Sequence, residues 1–133
     1  ASDWLRRNPK KKIVVLDSSA IMMLFEFNID LEDELTRLLG KFQVIVPSPI
    51  FIELKYLSEQ GKGKKRLIAK PSLKLIEKYE IIKTEETGDD SVLLLAKELN
   101  GIVITNDRNL RNRVKKIGLH TIYLRGKNRL VLE

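Results

Sequence analysis

The residues of this chain best suited to chemistry are acids that follow apolar runs. Lys12-Ile13-Val14-Val15-Leu16 leads into Asp17-Ser18-Ser19, and Ile102-Val103-Ile104 leads into Thr105-Asn106-Asp107. Short unbroken apolar runs rich in Val and Ile read as strands buried on both faces. An acid just past the end of such a strand lies in the crevice where open α/β sheets bind their ligands. Two more acidic positions fall on helices. The Asp89-Asp90 doublet opens a Leu-rich segment, and Glu53 is set within Ile50-Phe51-Ile52-Glu53-Leu54. Each has an ordinary explanation, because Asp is a favoured N-cap and Glu53 fits an exposed helix face. Two adjacent acids, however, exceed what one cap requires. Asp90 is therefore read as the functional member of the doublet and Asp89 as a supporting one. An unpaired buried carboxylate is costly, so Glu53 is expected either to pair with a base or to face a cation.

If these groups converge, electrostatics dictates what they need. Two carboxylates 4 Å apart repel by about 4 kcal/mol at an effective dielectric of about 20. Several stay ionised together only around a divalent cation; otherwise some are protonated. The chain has no cysteine and a single histidine, His120, which excludes thiol catalysis, disulfides, cysteine-zinc sites and histidine clusters. A metal would be held by oxygen, which selects Mg²⁺ or Mn²⁺. Such a site on a basic protein points to metal-assisted hydrolysis of a phosphodiester.

The chain is basic: 133 residues with a net charge of +7 and a pI near 9.7, which favours a polyanionic partner. Arg108 to Arg129 holds eight Lys or Arg and no acid, and Gly61 to Lys70 holds five more. A charge run is usually just a solvated surface. Here one run starts directly after Asp107, and RNA-backbone contacts are expected from Lys62, Lys64, Lys65, Arg66, Arg108, Arg111, Lys115, Arg125 and Lys127. The Gly61 to Arg66 stretch lacks the G-x-x-x-x-G-K-S/T spacing of a nucleotide-binding loop. Aromatic residues are few, so base stacking is not expected to dominate. No apolar stretch is long enough to span a membrane and the first residues lack a signal-peptide core; a cytoplasmic protein is expected.

The elements that must position these acids alternate between strand and helix. After the first strand, helices are expected over Ala20 to Phe27 and from Asp30 to Gly40, then a strand over Phe42 to Val46. Ser48-Pro49 reads as an N-cap and N1 pair opening a helix to about Gln60. Gly61 to Arg66 reads as a loop, Pro71 to Tyr79 as a short helix, and Glu80 to Lys83 as a strand. The helix opened by Asp89-Asp90 ends at Asn100-Gly101. Ile102 to Thr105, a basic amphipathic helix, and His120 to Leu124 follow, with a basic tail last. This is an α/β chain with a three-layer α/β/α fold around a parallel sheet of four to five strands, order 3-2-1-4-5. Residues 1–12 read as a basic leader and 13–133 as one domain. In that order Asp17 and Asp107 flank the switch point of the sheet. Met22, Met23, Phe25 and Phe27 serve as core, or alternatively as a homodimer face.

Taken in order, Leu16-Asp17-Ser18-Ser19-Ala20, Glu53 within its helix, Asp89-Asp90-Ser91-Val92-Leu93 and Ile104-Thr105-Asn106-Asp107-Arg108-Asn109-Leu110 resemble the four motifs of the PIN-domain nucleases. The resemblance implies a PIN-like fold and a Mg²⁺- or Mn²⁺-dependent endoribonuclease that cuts single-stranded RNA by in-line attack of water. It carries the catalytic and metal-site role to Asp17, Glu53, Asp90 and Asp107, and supporting roles to Ser19, Asp89, Thr105 and Asn106. Gly88-Asp89-Asp90 and the tail Ile122-Tyr123-Leu124-Arg125 look most like the rRNA-processing branch related to the small-subunit processome nuclease, which implies ribosome-assembly factors as partners. The VapC-type toxins of toxin–antitoxin pairs share the acids and are the alternative, with an antitoxin as partner. A non-enzymatic reading, a PIN fold serving as an RNA-binding scaffold, stands beside both.

Overall fold

The computed structural model describes residues 11–133, so all of the expected leader except Lys11 and Lys12 lies outside the described residues. The chain runs β1 (Lys12–Leu16), α1 (Ser18–Glu26), α2 (Leu31–Leu39), β2 (Phe42–Pro47), α3 (Ser48–Gln60), α4 (Lys64–Ile76), β3 (Glu80–Ile82), α5 (Gly88–Leu99), β4 (Ile102–Ile104), α6 (Arg108–Lys116), β5 (Thr121–Arg125) and β6 (Arg129–Leu132). The sheet order is β3-β2-β1-β4-β5-β6, with every pair parallel except the β5–β6 hairpin.

Successive strand residues point to opposite faces of a sheet. Val14, Val15 and Leu16 are all fully buried, as are Val103 and Ile104, so helices cover both faces of the central strands. That is the three-layer arrangement the unbroken apolar runs require. The register sets Leu16 beside Ile104, and the backbone N–H of Asp17 donates to the Ile104 carbonyl at 3.4 Å. Both chains therefore leave the sheet side by side at its carboxyl edge.

Three elements depart from the sequence expectation. The basic tail forms β6, a sixth strand beyond the four to five expected, joined to β5 through Gly126, whose φ of +71° suits a residue without a Cβ. It also makes β5 an internal strand rather than an edge. The outward N–H and C=O of Leu130 on this new edge are occupied: Glu34 Oε1 accepts the N–H at 2.8 Å and Arg37 donates to the carbonyl at 2.7 Å. This ion pair from α2 blunts the open edge. Second, α4 begins at Lys64 and continues through Pro71 rather than starting there. Proline lacks the N–H that would serve the Leu67 carbonyl, and Leu67 lies on the exposed side of the helix. Third, Ser48 does not act as a side-chain cap: α3 has no such bond, and the Ser48 hydroxyl accepts the Thr84 N–H at 3.2 Å, fixing the loop after β3.

Of the residues weighed as a dimer face, Met23 is buried, Met22 and Phe27 are half-buried against the core, and Phe25 is borderline exposed. Among the described residues, no helix is long and apolar enough to cross a membrane.

Candidate active site

Asp17 is both cap and buried acid. It is only 4% exposed, and its Oδ1 accepts the Ala20 N–H at 2.7 Å, closing the first turn of α1. Two hydroxyls complete its surroundings. Ser19 Oγ lies 2.9 Å from Oδ1 and 3.0 Å from Oδ2, and Thr105 Oγ1 donates to Oδ2 at 2.5 Å. Burial pushes the Asp17 pKa up to about 6, against the pull of the bonds from Thr105, Ala20 and Ser19, with the Asp89 charge adding a further upward push. No cation is paired with this carboxylate among the described residues.

Asp107 caps α6 in the same way, its Oδ1 accepting the Leu110 N–H at 3.1 Å. Its own backbone N–H donates to Thr105 Oγ1 at 3.0 Å. Thr105 thus joins the two strand-end acids: one oxygen donates to the first carboxylate and accepts from the backbone of the second. Asn106, expected to support the acid site, spends its Oδ1 on the Leu124 N–H at 2.8 Å and so ties the β4–α6 connection to β5.

The doublet divides differently from the sequence expectation. Neither acid caps α5, because Thr87 stands at the N-cap without a side-chain bond. Asp90, the preferred member, points outward with a side chain 65% exposed and pairs with Arg113 at 2.7 Å. Asp89 is half-buried. Its pKa is raised by desolvation and then by the charges of Asp107, Asp90 and Glu53, with Arg113 working against them. The structure therefore leaves Asp90 exposed and paired, and sets Asp89 where its charge acts on Asp17 and where Asp107, Asp90 and Glu53 act on it. The reason is helical geometry: adjacent residues lie about 100° apart around the axis, so only one of the two can face the crevice. Glu53 is exposed, not embedded as expected, because α3 turns its Ile50 and Leu54 inward and leaves Ile52 and Glu53 at the surface. Glu53 has no ion-pair partner among the described residues.

Donor chemistry fits a hard divalent cation: oxygen only, several carboxylates in one field, and a buried acid without a counter-charge. Among the described residues, no three Asp, Glu or His side chains close on a single point. Mg²⁺ is ordinarily bound by one or two carboxylates and several waters.

The basic positions separate into groups. Lys64 pairs with Glu26 at 2.6 Å, at the opposite end of α1 from Asp17. Lys62, Lys65 and Arg66 are exposed, but this stretch begins eight residues past Glu53 on α3, roughly 12 Å along the helix axis. Arg111 stacks over the Tyr123 ring at 3.8 Å and, like Lys115, is engaged by Glu133. Arg108, Arg125 and Lys127 are exposed and unpaired among the described residues, and Arg129, which sequence reading left out, stands opposite Arg125 in the hairpin. Since β5 is parallel to β4, the turn between β5 and β6 lies at the same sheet edge as the acids. The glycine in Gly126-Lys127-Asn128, lying between the apolar runs Ile122-Tyr123-Leu124 and Leu130-Val131-Leu132, was the signal for this hairpin.

Sheet order, crossover pattern and acids at the switch point define a doubly wound α/β protein with a carboxylate site at the carboxyl edge of its sheet. A family model described as a PIN-like domain matches residues 14–127, and the chain belongs to that family, as the four motifs imply. Ribonuclease VapC9 of Archaeoglobus fulgidus is 31% identical over 127 residues, spanning 96% of this chain and 93% of that protein. The structure of the PIN domain endonuclease Utp24 is similar with a TM-score of 0.76 at 23% identity, over 93% of this chain and 92% of that one. A domain of a functionally unknown protein from Methanocaldococcus jannaschii DSM 2661 gives a TM-score of 0.62 at 22% identity, over 86% and 92% of the two chains. At these identities the two solved structures speak for the fold alone.

Proposed function

We propose that this chain is a Mg²⁺- or Mn²⁺-dependent endoribonuclease that cuts single-stranded RNA by in-line attack of water. The observation that carries the reading is Asp17: a buried carboxylate, fixed by two hydroxyls, without a counter-charge and inside the field of other acids. Of Asp17, Asp89 and Asp107, one or two would hold the cation directly and the rest through its bound waters, with Glu53 at the rim. When bound, the cation supplies an activated water and relieves the charge that builds on the leaving oxygen. Ser19 and Thr105 hold the Asp17 carboxylate in one orientation. Asp90, tied to Arg113, positions α6 against α5, and Asn106 positions the loop that carries Asp107. Arg108, Arg125, Lys127 and Arg129 would take RNA phosphates on the β5–β6 side of the site.

The motif pattern favours work in rRNA processing, alongside ribosome-assembly factors. A second reading, a toxin ribonuclease restrained by an antitoxin, is favoured by the 31% identity with Ribonuclease VapC9 over nearly the full length of both chains. Incubation of the purified protein with labelled single-stranded RNA and Mn²⁺ tests the activity. Cleavage abolished by EDTA and by Asp17→Asn is expected. Unchanged cleavage by that variant would show the activity to be a contaminant. Growth arrest on expression, relieved by a co-encoded partner, would favour the toxin role.

A further inference from the structure

Beside the acids lies a groove of about 460 Å³, walled by Pro49 and Ile52 of α3 and by Thr84, Glu85 and Glu86 of the loop after β3. Its size falls in the range of small-ligand sites, about 300 to 1,000 Å³. The groove is continuous with the acid site: Glu53 lines it while contributing to the field at Asp89, and Gly88, also in its wall, directly precedes Asp89. The loop wall is pinned rather than loose, with the Thr84 N–H donating to Ser48 Oγ and the Thr84 hydroxyl to the Glu86 carbonyl at 3.3 Å.

Two features select its occupant. Ile52 is 63% exposed, an uncovered β-branched side chain beside a charged site. Among the described residues, no Lys or Arg lines the groove, whereas three carboxylates do. A phosphate is repelled by such a lining. A flat apolar ring with N–H donors on its edge is attracted by it. The opposite flank of the acid cluster carries the reverse charge, in Arg108, Arg125, Lys127 and Arg129. A single strand of RNA presents both chemistries, phosphates along one side and unpaired bases along the other.

We propose that this groove is a nucleobase subsite. It takes the unstacked base of the nucleotide on the β3 side of the scissile phosphate, while the strand on the β5–β6 side is held by its phosphates. Carboxylate acceptors favour a base that bears amino donors. Guanine fits best, since its N1–H and 2-amino group present two parallel donors to one carboxylate, the same fork that arginine offers. The inference rests on the proposed nuclease reading for its position beside a scissile bond, but not for base binding itself.

Sequencing the products of random single-stranded RNA cut with Mn²⁺ should place an amino-bearing base at one fixed position next to the cut. Replacing guanosine there by inosine, which lacks only the 2-amino group, should lower kcat/KM about tenfold. That ratio should approach one in Ile52→Lys and in the double variant Glu85→Gln/Glu86→Gln. Because it compares two substrates on the same protein, partial misfolding does not disturb it. In parallel, fluorescence anisotropy with the Asp17→Asn protein should give the same preference for guanosine over inosine in binding alone. Cleavage indifferent to base identity, or a preference untouched by the groove variants, overturns the proposal. If no RNA is cut, the nuclease reading fails, and the anisotropy comparison still decides whether the groove binds a base.

Discussion

The Thr105 hydroxyl stands 2.5 Å from Asp17 Oδ2 and donates to it, while the same oxygen accepts the Asp107 N–H at 3.0 Å. A single side chain thereby couples the acid that ends β1 to the acid that follows β4. Valine has nearly the shape of threonine but can neither donate nor accept here. Thr105→Val should lower kcat about 10- to 100-fold, the usual cost of removing a group that orients a metal-holding side chain. Thr105→Ser should restore most of it. Titrating Mn²⁺ into each variant separates weaker metal affinity from slower turnover. Full activity in the valine variant would show that Asp17 needs no such support.

Asp89 and Asp90 are neighbours in sequence with opposite surroundings. The first shares the field of Asp107 and Glu53, and the second is neutralised by Arg113. Asp89→Asn should cost more than the orienting group does, about 100-fold or beyond in kcat/KM. Asp90→Asn should stay within a few-fold, since an exposed pair contributes about 1 kcal/mol at most. Equal losses in both variants, measured on the same RNA, would reverse this assignment.

Much of this site is legible in the sequence. Asp17 and Asp107 follow from unbroken apolar runs that end in an acid, and their meeting follows from the strand order. The choice within the doublet is not legible, because it depends on the rotation of α5 about its axis, which Gly88 with its φ of +54° and the contacts of α5 with the sheet decide. Glu53 illustrates the same limit, since apolar neighbours in sequence do not bury a helical residue whose own face turns outward. The hairpin was hidden by composition. Arg125, Lys127 and Arg129 read as part of a basic tail, although Leu130 directly after them is fully buried and pairs with β5.

Asp17 also makes stability depend on pH and on metal. Its folded pKa of about 6 exceeds the ordinary value near 3.9. The folded state therefore binds this proton more tightly than the unfolded state. Stability from this group is complete below about pH 4 and is lost as pH rises through 6. The stability of the metal-free protein minus that of its Asp17→Asn variant should fall by about 2 kcal/mol between pH 4 and pH 7.5, read by chemical denaturation. The subtraction cancels the other titrating groups. Mg²⁺ or Mn²⁺ should restore stability to the unmodified protein at pH 7.5 and do little at pH 4.5. A pH-independent difference would place Asp17 in water rather than in a dry pocket.

RNA affinity should reside mainly in the β5–β6 hairpin. Arg125 and Lys127 project at the acid edge without partners among the described residues and Arg129 feels only the charge of Glu34, whereas Lys64 is occupied by Glu26 and both Arg111 and Lys115 by Glu133. Each phosphate contact on single-stranded RNA contributes a slope of about −0.7 to the plot of log Kobs against log salt. Replacing the three hairpin residues by alanine should make that slope shallower by about 2. Replacing Lys64, Arg111 and Lys115 should change it far less, because their charge is already met within the protein. Fluorescence anisotropy with the Asp17→Asn protein over a range of salt measures both sets without cleavage. If the second set carries the larger share of the slope, RNA runs along α6 and the far end of α1 rather than across the carboxyl edge of the sheet.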